Sequence, residues 1–415
     1  MNREISFRLG AVALSVALCV AALSACSERP DETAAPMHET AAEQIVRGSY
    51  LAKAADCAAC HTVPGSAPFA GGVKLGSPFG TFYGTNITPD AVHGIGKWSA
   101  AQFYKTLHDG VAPDKHLYPA MPYTSYRTMS RADSDAIYAY LMAQKPAAVP
   151  NRDPELMFPF NVRFAVMFWN MLFLKDKLPD ASAGSSADWI RGRYLANALG
   201  HCAECHTPRG VFGEMNGAKT LQGSMLGRVV PPDITPAGLA ARGWTGADLQ
   251  TFFATGISRQ GSAFGEMHPV VMLSSQHLSP GDLRALSTYL LGDAPLPPTP
   301  VQPGSADAAQ VAAGRASYVA VCAGCHGLEG QGKPHVAVSM QGSSTLRQAD
   351  SHNLIVAMLD GVDAAEFAGT ESMQAMPGFA ATLTDDELAN LANYLRSGWG
   401  GQPGDVSAAR VKSLR

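Results

Sequence analysis

The sequence predicts an all-α chain of three tandem small domains joined by loop-rich linkers. Three observations carry this expectation. The pattern Cys-x-x-Cys-His occurs three times, as Cys57-Ala58-Ala59-Cys60-His61, Cys202-Ala203-Glu204-Cys205-His206 and Cys322-Ala323-Gly324-Cys325-His326. Each copy is preceded by a glycine in a short helical stretch and followed by a glycine-rich loop, a methionine and a closing helix, which is the mark of repeated domains. Glycine (41) and proline (28) are plentiful and only 16% of residues are charged, which suits loop-rich domains whose cores are completed by a large apolar cofactor.

The repeats can be followed element by element. The leading helices contain Arg47-Gly48-Ser49-Tyr50-Leu51, Arg191-Gly192-Arg193-Tyr194-Leu195 and Gly314-Arg315-Ala316-Ser317-Tyr318. The closing helices are expected over Asp133 to Leu141, Ser279 to Leu290 and Thr384 to Leu395, and all end in Tyr-Leu. Ser279-Pro280-Gly281-Asp282 and Thr384-Asp385-Asp386-Glu387 carry helix-start signals. The first two repeats share more: Asn86-Ile87-Thr88-Pro89 matches Asp233-Ile234-Thr235-Pro236, and Trp98-Ser99 and Trp244-Thr245 each open a further helix. The third repeat lacks both features.

Cys-x-x-Cys-His is the attachment signature of a c-type haem: two thiols take the porphyrin vinyl groups and the histidine becomes the proximal iron ligand. A redox disulfide or a zinc site would not need a histidine after every second cysteine, and zinc-binding pairs lie closer in sequence. Six of the eight cysteines are used this way, so the expected attachment residues are Cys57, Cys60, Cys202, Cys205, Cys322 and Cys325, for three haem c groups. The expected proximal ligands are His61, His206 and His326. A methionine opposite the histidine raises the potential and closes the iron to substrate. Met121 lies 60 residues after His61, Met267 61 after His206 and Met376 50 after His326. Their rivals are Met129 and Met142, Met272 and His268, and Met373, with core packing the ordinary use of methionine. The other histidines, including His116, His201, His277 and His335, read as surface or hydrogen-bonding residues. Trp98 and Trp244 read equally as packing residues or as neighbours of a haem edge. The order of helix, haem motif, loop, methionine and helix is that of a class I cytochrome c domain.

Arg3, Arg8 and the apolar run from Ala11 to Leu23 read as an export signal. Leu23-Ser24-Ala25-Cys26 resembles a lipoprotein cleavage site, so Cys26 is the expected lipidation point, with ordinary cleavage as the alternative. The expected organisation is a signal peptide over 1–25, a flexible tether over 26–43, domains at 44–148, 184–294 and 305–400, an apolar connector at 149–183, a proline-rich linker at 295–304 and a tail at 401–415. The connector holds the most apolar stretch of the mature chain, Leu156 to Leu174. It packs as core between domains or shows an apolar face to a membrane, a quinone or a protein partner. A formal charge of −4 without a basic cluster excludes a nucleic-acid partner.

These motifs resemble those of the triple-haem cytochrome c subunits of bacterial membrane-bound dehydrogenases acting on alcohols, gluconate, sorbitol or fructose. The resemblance runs from about Gly48 to the C-terminus. It rests on Gly76-Ser77-Pro78-Phe79-Gly80-Thr81, Asn86-Ile87-Thr88-Pro89-Asp90, His116-Leu117-Tyr118-Pro119-Ala120-Met121-Pro122-Tyr123, Cys205-His206-Thr207-Pro208-Arg209-Gly210 and Ser275-Gln276-His277-Leu278-Ser279. It places methionine ligands at Met121, Met267 and Met376. It implies an exported, membrane-anchored electron-transfer subunit facing the periplasm, without a substrate-oxidising site of its own. Electrons would come from a catalytic subunit of the flavin, quinone or molybdenum type and leave to ubiquinone or a terminal oxidase. The alternatives are a multihaem redox enzyme with one open iron, and a tethered carrier without a dedicated dehydrogenase. One departure from the family is Val336-Ala337-Val338-Ser339-Met340, which stands where relatives carry a proline-rich turn.

Overall fold

A computed structural model describes residues 39–175 and 178–415. The expected signal peptide, Cys26 and most of the tether lie outside the described residues. The chain divides into Met1–Ala41 and Ala42–Arg415, and the second unit is the one described below. Among the described residues no helix is long and apolar enough to cross a membrane.

Each haem motif sits at the end of a leading helix that packs on a closing helix. The first pair is α1 (Ala41–Ala54), leading into α2 (Cys57–His61), and the closing α4 (Arg131–Met142), with α3 (Ala100–Asp109) between. The second is α6 (Ala187–Tyr194), leading into α7 (Ala203–His206), with α8 (Gly246–Thr255), α9 (Met267–Leu273) and the closing α10 (Pro280–Leu291). The third is α11 (Ala308–Val321), leading into α12 (Ala323–His326), with α13 (His352–Asp360) and the closing α14 (Asp385–Leu395). Caps set the helix starts where the sequence signals them. Ser99, Thr245 and Thr384 form capping boxes with Gln102, Asp248 and Glu387, and Ser279 caps α10. α1 begins three residues inside the expected tether.

The three helix pairs cross on their glycines. A Cβ on Gly48 would lie 1.9 Å from the Ala136 carbonyl oxygen, one on Gly192 1.9 Å from that of Ala285, and one on Gly314 2.1 Å from that of Asn390. The closing-helix tyrosines Tyr140, Tyr289 and Tyr394 flank the same crossings. Two helix backbones meet this closely only where a side chain is missing.

The first two pairs share one core, which includes Leu51, Ile137, Leu141, Leu199, Leu286 and Leu290. A reciprocal polar lattice ties them. Asp133 accepts from Arg47 of its own pair (2.6 Å) and from the Tyr194 hydroxyl of the other (2.6 Å). Asp282 accepts from Arg191 (2.7 and 2.8 Å) and from the Tyr50 hydroxyl (2.6 Å). Burial would raise the pKa of Asp282, but the hydrogen bonds from Arg191 and Tyr50 hold it below the ordinary carboxylate value. The third pair has its own core around Tyr318, Ile355, Leu388 and Leu391.

The structure departs from the expectations in two places and selects between two open readings in a third. Short strands accompany the helices, which an all-α chain does not include. Lys74–Ser77, Gly80–Tyr83 and Glu155–Leu156 form a three-stranded sheet, and three two-stranded pairs occur in later loops. They are loop ends brought together by turns, such as Ser77–Gly80, and are too short to read as period-two runs. Second, the segment expected as a tail is packed. Val411 is fully buried in the third core, Asn393 bonds the Val406 backbone at both ends, and Arg415 pairs with Asp385 at 2.7 Å. Third, the connector turns outward. In α5 (Ala165–Phe173) only Val166 is buried, whereas Phe158 is 80% and Met171 74% exposed. Phe164, Met167, Phe168 and Leu172 are exposed beside them. The connector is held at its edges, by Tyr123 to Asn170 (2.7 Å), Trp169 to the Phe212 carbonyl (2.9 Å) and Phe79 against Phe160 (4.3 Å).

Two outcomes follow. Gly192→Ala should lower stability by about 1–3 kcal/mol through overpacking, while Gly324→Ala, whose Cβ meets nothing within 4 Å, should leave the melting temperature unchanged. Asp282→Asn should lower the melting temperature at neutral pH. A depressed carboxylate stabilises above its unfolded value, so the difference should close as pH falls below about 4.

Candidate haem sites

Each motif is a single helical turn that presents its histidine inward, and the first two are built alike. His61 Nδ1 lies 2.6 Å from the Thr85 carbonyl oxygen, and His206 Nδ1 lies 2.7 Å from that of Pro232. An Nδ1–H donated to a carbonyl fixes the tautomer and leaves Nε2 as a lone-pair donor, the arrangement a metal-ligating imidazole needs. Burial, the largest cause, depresses the proton affinity of His61, His206 and His326, so each stays neutral. The loop returning to His61 approaches closely: a Cβ on Gly84 would lie 1.7 Å from the Cys60 carbonyl oxygen. The third site is looser. His326 Nδ1 is buried and turned toward the Val338 backbone without reaching a hydrogen bond. Val338 belongs to the segment that replaces the expected proline-rich turn.

The six motif cysteines are free thiols. Burial pushes Cys57 and Cys202 up to about 12 and Cys60 and Cys322 up to about 11, and it raises Cys205. A redox dithiol works by the opposite shift. Among the described residues no group of three or more His, Cys, Asp or Glu side chains gathers as a metal site. Paired thiols, each pair followed by an imidazole that is oriented by a carbonyl in the first two motifs, are a donor set that suits covalent haem, so the residues present fit that group.

The methionines divide by environment. Met121 and Met267 both pack, half-buried, against the core that the first two repeats share, as do Cys57, Ala58, Cys202, Ala203 and the rival Met142. Met121 lies in a tight turn, with the Tyr123 amide donating to its carbonyl at 2.7 Å. The rival Met129 is itself a core residue, 4% exposed, and Met373 packs in a small cluster with Phe367, Ala263 and Val271. Met376 is half-buried on the strand Met376–Pro377, paired with Gly361–Val362, and lies outside the core that contains Cys322. The methionines of that core are Met358, buried within it, and Met340, packed against it. Met121 and Met267 thus lie at the core shared by the first two motifs, whereas Met376 lies outside the core of the third. His268, the other rival, bonds the Glu366 carbonyl at 2.8 Å.

Three features had no sequence signal. Asp56 and His201, each just before the first motif cysteine, take left-handed backbone (φ 52° and 38°). Asp56 is buried with an unpartnered Oδ1, and burial pushes its carboxyl up to about 8. Tyr126 links the two sites, donating to the Ala55 carbonyl (2.5 Å) and meeting the His201 ring edge-on at 5.8 Å. Helix α9 touches α2 on one side and the Phe367 cluster on the other, so the segment bearing Met267 lies between the first and third repeats. Trp244 is buried and donates to the Ser344 hydroxyl at 3.1 Å.

The competing methionines make a direct test. Met121→Leu should remove about a third of the oxidised-state sulfur–iron charge-transfer absorbance, and Met129→Leu should remove none of it. Equal spectra for the two variants would contradict the assignment of Met121.

The cytochrome c model matches residues 311–399, and the model for subunit III of cbb3-type cytochrome c oxidase matches residues 43–141. The cytochrome c subunit of the quinone-dependent alcohol dehydrogenase of Gluconobacter oxydans is 36% identical over 89% of this chain and 82% of its own length. The fructose dehydrogenase cytochrome subunit of Gluconobacter japonicus is 35% identical over 98% of this chain and 89% of its own. The gluconate 2-dehydrogenase cytochrome c subunit of Pantoea cypripedii is 35% identical over 89% of each. The chain belongs to the family of cytochrome c subunits of membrane-bound dehydrogenases, and its cytochrome c domains imply covalently bound haem c.

Proposed function

We propose that this chain is a three-haem electron-transfer subunit, built from three tandem class I cytochrome c domains, that carries electrons from a dehydrogenase catalytic subunit to ubiquinone or a terminal oxidase. The observation that carries the proposal is the recurrence of one frame. In each repeat a glycine-crossed helix pair leads into a turn that carries two thiols and a histidine whose proton affinity is lowered by burial. When bound, haem c supplies reversible one-electron chemistry.

The residues have separate parts in this reading. Cys57 and Cys60, Cys202 and Cys205, and Cys322 and Cys325 fix the porphyrins. His61, His206 and His326 hold the irons through Nε2, and the carbonyls of Thr85 and Pro232 orient the first two. Met121, Met267 and Met376 are the opposing thioethers. For Met376 this requires the loop around Met376–Pro377 to pack inward. Burial keeps water from the irons and favours the reduced, less charged state. Nothing in this reading oxidises the organic substrate, which belongs to the catalytic partner. Residues 1–25 direct export to the periplasmic side, and a lipid on Cys26 holds the chain at the membrane. Leu23-Ser24-Ala25-Cys26 supports that part of the proposal.

Gentle detergent extraction and purification of the native protein should recover a dehydrogenase subunit with it. The complex should reduce a ubiquinone analogue when given the partner's substrate. Recovery of the cytochrome alone, with no quinone-linked activity in the membranes it came from, would contradict the proposal.

A further inference from the structure

The three haem motifs differ at a single place. Between the cysteines of the second stands Glu204, where the first has Ala59 and the third has Gly324. The Glu204 side chain is only 11% exposed, and its two oxygens face different repeats. Oε2 pairs with Arg209, in the loop that follows its own motif. Oε1 accepts from the hydroxyls of Thr124 and Ser125, the latter at 3.3 Å. Both hydroxyls belong to repeat one.

Thr124 and Ser125 lie in the single helical turn Tyr123–Tyr126, directly after Met121-Pro122. That turn is bonded back onto the pair before it. The Met121 carbonyl accepts from the Tyr123 amide at 2.7 Å, and the Pro122 carbonyl accepts from the Ser125 and Tyr126 amides at 3.0 Å each. The proline ring fixes one further torsion, so little freedom separates the clamped hydroxyls from Met121. The same turn meets repeat two a second time, where the Tyr126 ring stands edge-on to His201 at 5.8 Å. Hydrogen bonds to a carboxylate are stronger than those between neutral groups, and a buried hydroxyl that loses its acceptor is costly. The opposite contact, α9 of repeat two against the first motif, has no such clamp, because Ala59 offers no side-chain acceptor.

We propose that Glu204, through Thr124 and Ser125, holds the methionine loop of the first haem. A residue between the attachment cysteines of one haem is thereby a positioning residue for the axial thioether of another. The inference rests on the haem reading above, with Met121 as the first haem's ligand. A loop that is already ordered loses little entropy when its sulfur binds, so the clamp strengthens the Met121 bond. Without the clamp that bond weakens, while the thioethers of the other two haems keep theirs.

The test follows the oxidised-state sulfur–iron charge-transfer absorbance of the full exported protein on warming. Met121→Leu first identifies the share of the band that belongs to the first haem. In Glu204→Leu that share, about a third of the band, should vanish at a lower temperature than in the unmodified protein. In the Met121→Leu background the same substitution should change nothing. Glu204→Gln removes the charge but keeps an acceptor oxygen, and it should hold the band close to its original course. Thr124→Val with Ser125→Ala should reproduce Glu204→Leu, and combining all three should add nothing further. An unchanged band in Glu204→Leu, a loss that persists in the Met121→Leu background, or equal behaviour of the Leu and Gln variants would overturn the proposal. If Glu204→Leu fails to retain the second haem, the paired Thr124 and Ser125 variant decides: earlier loss of the Met121 share supports the proposal and an unchanged band overturns it. A band that Met121→Leu leaves whole would instead overturn the ligand reading, and the proposal with it.

Discussion

The contact on which the rest depends is the crossing of leading and closing helices at Gly48, Gly192 and Gly314. Each haem motif follows its leading helix within a few residues, so the crossing sets where thiols and imidazole enter the core. With a Cβ only 1.9–2.1 Å from the facing carbonyl oxygen, nothing larger than glycine fits unless the helices part. Separation of the helices would open the apolar surroundings that keep the histidines neutral and the thiols protonated. The same geometry appears three times with different neighbours, Ala136, Ala285 and Asn390, so it is a property of the frame and not of one local sequence.

On that frame the first two repeats are fused and the third stands apart. Asp133 and Asp282 each receive an arginine from their own pair and a tyrosine from the other. Such charge-assisted bonds at a shared core hold two units in one register. Repeat three has Arg315 after its glycine where the others have arginine before it, and it takes no part in this exchange. Its contacts with repeat two run instead from α13 to the loop holding Arg228 and Val230. Asn353 exchanges bonds with Val230 (2.7 and 2.8 Å), and Arg228 pairs with Asp360 at 2.6 Å. Helix α9, between the first motif and the Phe367 cluster, is where the three repeats come nearest to a common junction.

Much of the fold was legible in the sequence because its signals are local. Caps at Ser99, Thr245, Ser279 and Thr384 act through bonds three residues away, and the spacing of cysteine and histidine is chemistry within one helical turn. What was not legible depends on partners distant in sequence. The outward face of α5 follows from which side meets Tyr123 and Phe212, which no periodicity in a nearly uniform apolar run encodes. Val411 looks like part of a polar tail until Leu391 and its neighbours are seen to need a cover. The spacing that points to Met121 and Met267 points equally to Met376, yet that strand lies outside its core, and the third repeat is the one whose loop departs from the family pattern.

Intact-mass measurement of the exported protein, followed by mapping of the haem peptides, tests the central claim most directly. The account predicts three covalent porphyrins, on Cys57 and Cys60, Cys202 and Cys205, and Cys322 and Cys325. A chain carrying two or fewer when all six cysteines are intact would contradict it.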